Sequence, residues 1–247
     1  DEDSNTIYDV AGEEVEHGAF IKATTYAIKN SVSPWFIEEY AGVTKDMKQL
    51  VEDSPKIKYA LETVKTLKED PKTKDFGTFI FFGKDGVSYH PMIAEYFAKE
   101  LGYKREQVAH LSGSVTDDQK EDIKEKFNNG EIKVLLGGDQ TKEGIDLQNN
   151  GFVTINLALG WNPTQIAQVE GRVWRQGNRR SIAPLVYPLV ENSGDAMIYN
   201  KFEEKGGRIN DMLSYAGTMF DVGEIDPAEK KLSLLTDPKE KKKMQIE

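Results

Sequence analysis

A parallel β-sheet with helices on both faces is the fold this sequence predicts, and three observations predict it. Short continuous apolar runs, among them GTFIFFG (77–83) and IKVLLG (132–137), have the composition of strands buried on both faces. Segments with apolar residues at helical spacing lie between these runs, joined by short loops. Capping and stop residues punctuate those segments, so successive strands are joined by helical crossovers rather than hairpins.

Each element follows in order. Ser54 can cap a helix with Pro55 at its first position, and Ile57, Leu61, Val64 and Leu67 recur at helical spacing. After a Lys/Asp-rich loop, the run 77–83 is the first buried strand. PMIAEYFAKELG (91–102) is a helix with Ile93, Phe97 and Leu101 on one face and Gly102 as its stop. QVAHL is a strand followed by the turn SGS. Thr116 and Gln119 form a capping-box signature, opening a helix through Ile123 and Phe127 that ends at NNG. The runs 132–137, 152–159 and 184–190 are further strands. A helix capped by Asn162 and started by Pro163 lies between the last two, and another runs from about 195 to 213. The chain therefore divides into a mainly helical accessory segment (1–53), an α/β domain (54–215) and a charged tail (216–247).

Composition narrows the function. The 247 residues are 38% apolar and 30% charged, enough for a sizeable core. No apolar run approaches the roughly 20 residues of a membrane span, and no secretory signal opens the sequence. It starts DEDSNT without Met, as expected of a fragment or processed chain. With no Cys there are no disulfides or cysteine metal sites, which fits a reducing, intracellular compartment. His17, His90 and His110 are scattered, so no metal site is expected. A net charge of −10 argues against a general polyanion-binding surface, so any nucleic-acid contact must be local.

Against that acidic background stands GWNPTQIAQVEGRVWRQGNRR (160–180), with four arginines in nine residues. A continuous helix here places Gln168, Arg172 and Arg175 at i, i+4 and i+7 on one face, with Ile166, Val169 and Val173 turned toward the sheet. Gly171 would keep mid-helix thin for a close approach. Two guanidiniums one turn apart can clamp a phosphate and cannot be neutralised by deprotonation. The competing reading is an ordinary basic helix paired with neighbouring acids. Directly after a strand, GGDQTKEGIDLQNN (137–150) supplies Gly137, Gly138 and Gly144, whose amides can approach a ligand, and Asp146, which can accept from a ribose hydroxyl or hold the loop. No GxxxxGK[ST] loop and no strand-borne Asp-Glu pair occur. The chain has arginines for a triphosphate but nothing to hold the triphosphate or its Mg²⁺.

In order and spacing, these segments resemble the second RecA-like lobe of superfamily-two helicase-type ATPases, most closely the Swi/Snf-type DNA translocases. SPKIKYALETV is similar to the family's lead-in helix, GTFIFFG to its motif IV strand, and HLSGSVTDDQKEDIKEKFNNGEIKVLL to the motif IVa region. KEGIDL resembles motif V, GWNP the Trp-Asn-Pro that follows, and QVEGRVWRQGN the Q-x-x-G-R-x-x-R-x-G form of motif VI; the likeness covers about 54 to 213. Motif V departs from the usual small residues at Gly138-Asp139-Gln140-Thr141-Lys142, and the final Gln of motif VI is Asn178.

The resemblance implies roles. Arg172 and Arg175 would be arginine fingers reaching ATP held by a first lobe, with Gln168 ordering their helix. Gly144 and Asp146 would lie near the ribose. Trp161, Ser112, Gly113, Ser114, Thr141 and Lys142 would contact DNA, with Ser112, Gly113 and Ser114 in a loop near the phosphates of the tracking strand and Lys142 offering a phosphate contact. ATP and Mg²⁺ would be held mainly by a first lobe of the same polypeptide, and this monomeric lobe alone would be inactive. A standalone lobe serving as a protein-interaction or structural module, and an RNA helicase lobe, are the alternatives.

Overall fold

A computed structural model describes residues 7–8, 14–15, 17–37, 46–112, 115–142, 145–158 and 163–191, with 193, 195, 199–200, 204 and 207. Residues Asp1–Phe202 form one compact unit; of the second, Glu203–Glu247, only the helical positions 204 and 207 are described. In chain order the elements are β1 (Ile7–Tyr8) and β2 (Glu14–Val15), an antiparallel pair, then α1 (His17–Val32), α2 (Met47–Glu52) and α3 (Pro55–Glu69). There follow β3 (Gly77–Phe81), α4 (His90–Leu101), β4 (Val108–Leu111), α5 (Asp117–Asn128), β5 (Val134–Gly137), β6 (Gly151–Asn156), α6 (Pro163–Glu170) and β7 (Leu185–Val186).

Strands β3 to β7 form one parallel sheet in the order β4-β5-β3-β6-β7. The first of them in sequence is central: β4 and β5 lie on one side, β6 and β7 on the other. Phe81 stands opposite Gly137 on one neighbour and Asn156 on the other. Alternation along the strands divides the apolar side chains between two cores. Ile80, Phe82, Val134, Leu136, Val153 and Ile155 meet α3 and α4, while Phe79, Phe81, Leu135 and Leu111 meet Phe127 of α5 and Val169 of α6. Because both faces are covered, β3 and β5 are buried at every position, which is why they read as unbroken apolar runs.

The local signals act as the sequence indicates at several ends. Thr116 Oγ1 accepts from Gln119 N (3.3 Å) and Gln119 Oε1 from Thr116 N (3.0 Å), closing the capping box of α5. Gly102 ends α4 in the left-handed conformation at φ 62°. Two expectations need correction. Ser54 occupies the cap position of α3, but its hydroxyl donates to the Leu50 carbonyl (2.6 Å) and meets Ser33 Oγ (2.7 Å), so it caps nothing. The run 184–190 yields only the two-residue β7: Pro184 and Pro188 bracket it and have no N–H to extend the ladder. The helix expected from 195 lies largely outside the described residues, which are helical at 195, 199–200, 204 and 207.

Parts of the described stretches 29–37 and 46–53 share the first core. Val32, Trp35, Phe36, Leu50 and Val51 are buried in it together with Ile57, Ile80 and Phe82. Trp35 Nε1 donates to Asp53 Oδ2 (3.2 Å), and Phe36 stacks on Tyr89 with ring centroids 5.6 Å apart. Lys29 pairs with Asp85 at 3.3 Å. These contacts join the segment to the loop that follows β3.

Candidate nucleotide and nucleic-acid surface

The helix carrying the arginine cluster ends earlier than its period suggests. α6 stops at Glu170, and Arg172 and Arg175 lie in the turns beyond it, so the expected continuous face of Gln168, Arg172 and Arg175 is not formed. The cause is tertiary. Arg172 N bonds to Val169 O (3.1 Å) and Val173 N to Glu170 O (3.1 Å), a tightening to three-residue spacing. The Arg172 carbonyl accepts instead from Leu147 N at 2.8 Å, and the Val173 carbonyl from Asn178 Nδ2 at 2.8 Å. Gly171 sits at the exit of the helix rather than in its middle; a Cβ there would lie 3.2 Å from the Ala167 carbonyl. Ile166, Val169 and Val173 are buried as expected, and Gln168 is exposed on the last turn of α6.

These bonds fasten the arginine turn to the segment leading into β6. Arg172 Nη1 donates to the Ile145 carbonyl (3.3 Å). Arg175 Nη1 forms an ion pair with Asp146, with side chains 52% and 44% exposed. Asn178 Nδ2 also reaches Gly151 O at 3.2 Å. At Gly151 a Cβ would fall 2.6 Å from the Leu147 carbonyl and 2.9 Å from Val173, so the two segments meet backbone to side chain. Two of the expected nucleotide contacts, Arg175 and Asp146, are thereby brought together from distant parts of the sequence. They stand beside the amino end of β6, not beyond the carboxyl ends of the strands where sheets of this kind hold ligands.

The carboxyl ends carry a second surface. There Phe82 N bonds to Gly137 O (2.8 Å) and Asp139 N to Gly83 O (3.0 Å). Thr141 is fully buried, packs over Gly137 and donates its hydroxyl to Gly138 O at 2.5 Å; Ser112 is buried as well. The Thr141 hydroxyl is therefore not presented to a solvent-borne phosphate in this conformation. Gly113, Ser114, Gly144, Trp161 and the cap residue Asn162 lie outside the described residues, as does the side chain of Lys142, whose backbone closes a 3-10 turn at Asp139–Lys142. α6 links the two surfaces: it begins after the carboxyl end of β6 and delivers the arginine turn beside the strand's amino end. Its 8 residues span about 12 Å.

The structure also assembles residues that the sequence left unremarked. Lys56, in the first turn of α3, is 1% exposed; its Nζ donates to Asp195 Oδ1 (2.8 Å), Leu157 O (3.0 Å) and Ser31 Oγ (3.2 Å). Asp195 Oδ2 accepts from Val190 N at 2.8 Å. Burial lowers the Lys56 pKa, and the hydrogen bond and charge of Asp195 oppose that shift. The signal was available: Lys56 stands four residues before Ala60 and eight before Val64, on the apolar stripe of α3. At the carboxyl end of β6, Asn156 is 1% exposed and neither amide atom has a partner.

Residues 60–177 match the helicase conserved C-terminal domain family. The chain is 26% identical over 106 residues to the ATP-dependent DNA helicase RecG of Staphylococcus aureus, a match covering 43% of this chain and 16% of RecG. It is 32% identical over 120 residues to a protein of Acanthamoeba polyphaga mimivirus named as an ATP-dependent RNA helicase, covering 45% of this chain and 26% of that protein. The matches thus span a minor part of these relatives. The C-terminal part of the Fun30 ATPase domain superposes with a TM-score of 0.51 at 20% identity, over 63% of this chain and 47% of that one, and shares the fold. Residues 60–177 thus carry the likeness to the C-terminal lobes of superfamily-two helicases, and the parallel five-stranded sheet has the RecA-like fold of such a lobe.

The half-exposed Arg175 guanidinium is suited to phosphate oxygens. Among the described residues no group of three or more His, Asp or Glu could hold a metal ion, and no helix is long and apolar enough to cross a membrane.

Proposed function

We propose that this chain is the second motor lobe of an ATP-dependent DNA translocase or helicase of Swi/Snf-like type, completed by a first lobe of the same polypeptide. The carrying observation is the arginine turn fastened to 145–151, which sets Arg175 beside Asp146. ATP bound to the first lobe with Mg²⁺ supplies the scissile phosphoanhydride. Arg175 neutralises charge on the terminal phosphate, and Arg172, tied to the Ile145 carbonyl, supports the turn and contributes a second guanidinium. Gln168 orders the end of α6, and Asp146 with Gly144 attends the ribose. Arginines delivered across a cleft are worth on the order of 10³–10⁵ in rate in related phosphoryl-transfer systems.

Trp161, Gly113, Ser114 and Lys142 are assigned to DNA contacts; Ser112 and Thr141, both buried, are left out of that set. Such contacts are independent of base sequence. Closure and opening of the two lobes around nucleotide would move this surface along a strand. In the complete polypeptide, Arg175→Ala should abolish hydrolysis and leave nucleotide binding largely intact, while the purified 247 residues alone should hydrolyse no ATP. Wild-type turnover in Arg175→Ala removes the finger role, and DNA-stimulated hydrolysis by the isolated chain removes the two-lobe reading. Stimulation by RNA but not DNA would favour the RNA helicase alternative, for which the name of the mimivirus relative speaks.

A further inference from the structure

Lys56 breaks two local rules at once. A lysine in the first turn of a helix opposes the helix dipole, and one that is 1% exposed has lost its hydration. Its neighbour Lys58, two residues on, does what lysines ordinarily do: 47% exposed, it pairs with Glu52 at the surface. All three protons of the Lys56 ammonium are nevertheless used, each on a different part of the chain: Ser31 at the end of α1, the Leu157 carbonyl just past β6, and Asp195, a helical position after β7. Asp195, 3% exposed at the side chain, spends its other oxygen on Val190 N, and Ser193 Oγ accepts from Asp195 N at 3.1 Å.

A buried ion pair is a poor source of stability, because desolvation cancels most of the attraction and an apolar pair of similar volume often serves as well. What it provides is position, since ammonium and carboxylate are satisfied in one arrangement only. Here that arrangement fixes the Leu157 carbonyl, the point where β6 gives way to the connection into α6. α6 in turn delivers the arginine turn some 12 Å away, where Leu147 and Ile145 receive it.

We propose that the Lys56–Asp195 pair is a positioning joint that couples the carboxyl-end, nucleic-acid side of this lobe to its arginine turn, so that DNA binding is felt at the nucleotide. This rests on the function proposed above. The pair touches neither ligand; it holds the root of the β6–α6 connection against α1, α3 and Asp195, so that force applied at the carboxyl end of the sheet moves α6 rather than bending the strand end.

The test replaces the pair by apolar residues, Lys56→Met with Asp195→Leu, in the complete polypeptide. The expected result is a thermal midpoint close to that of the unaltered protein, basal ATP turnover within about twofold, and at least a fivefold loss of DNA stimulation. Intact stimulation in the folded double variant overturns the proposal. Should that variant fail to fold, Asp195→Asn keeps the shape and the Val190 bond, and the same two rates are read. The 247-residue chain gives an arm independent of any ATPase: hydrogen exchange at 157–158 and 163–170 should rise in the double variant while β4 and β5 stay protected. Unchanged exchange there also overturns the joint. If instead exchange rises and Arg175→Ala turns over normally, the proposed function fails and the joint stands as a structural device.

Discussion

Arg175 Nη1 donates to the carboxylate of Asp146, 29 residues earlier in the chain, and this ion pair crosses from the arginine turn to the segment before β6. The guanidinium is held within its own domain by this pair. Since both side chains are about half exposed, the attraction is screened and adds little to folding. Asp146→Asn should therefore change unfolding free energy by less than about 1 kcal/mol. On the function proposed above, it should lower kcat/KM for ATP at least tenfold in the complete polypeptide, because Arg175 would lose its resting position and the ribose its acceptor. Denaturant titration beside steady-state kinetics checks both; a large stability loss with unchanged kinetics would assign the pair to the fold alone.

Acid should weaken this domain through His90. Its ring is fully buried against Phe82, centroids 4.8 Å apart, near the Leu111 backbone. Burial, aided by the charge of His110 and opposed by a hydrogen bond with the Leu111 backbone, holds its pKa down to about 4. The folded pKa lies below the unfolded one, so the unfolded chain binds the extra proton. Stability is full above about pH 6.5 and falls toward pH 4, by up to about 3 kcal/mol from this group. His90→Phe should flatten that part of the profile. Urea unfolding of both proteins between pH 4 and 7 measures the difference, and parallel profiles would refute the assignment.

Gly86 tests the seam between the N-terminal segment and the loop after β3. Its φ is 72°, and a Cβ would fall 2.3 Å from the Phe36 ring, which is itself stacked on Tyr89. Gly86→Ala combines left-handed backbone strain with overpacking and should cost roughly 2–4 kcal/mol. Thermal unfolding should show this as a lowered midpoint, and near-native stability would mean that Phe36 has room to withdraw.

The sheet was legible because its causes are local. Strands buried on both faces show as the unbroken runs at 77–83 and 132–137, and the cap of α5 is written in Thr116 and Gln119. What escaped depends on contacts between distant segments. The helical period continues through Arg175, yet α6 ends at Glu170 because Leu147 and Asn178 take the carbonyls of Arg172 and Val173. The same partnership draws the arginines toward the amino end of β6, which no spacing rule foretells. Lys56 and Lys58 are one residue type two positions apart, and only their place on the α3 stripe separates a buried ammonium from a surface one. The grouping of Arg175 with Asp146 was anticipated only through a family likeness; their direct pairing was not.

The packing of Val32, Trp35 and Phe36 bears on how such a lobe can be inherited or exchanged. Cut at residue 54, it would expose the sides of Ile57, Ile80 and Phe82 that these residues cover, and Lys56 would lose its Ser31 acceptor. A recombination event that kept only the part of the chain bearing the motifs would inherit a sticky, half-lidded core. The unit that can travel between proteins intact therefore begins no later than α1, in a stretch that carries none of the motifs by which the lobe is recognised.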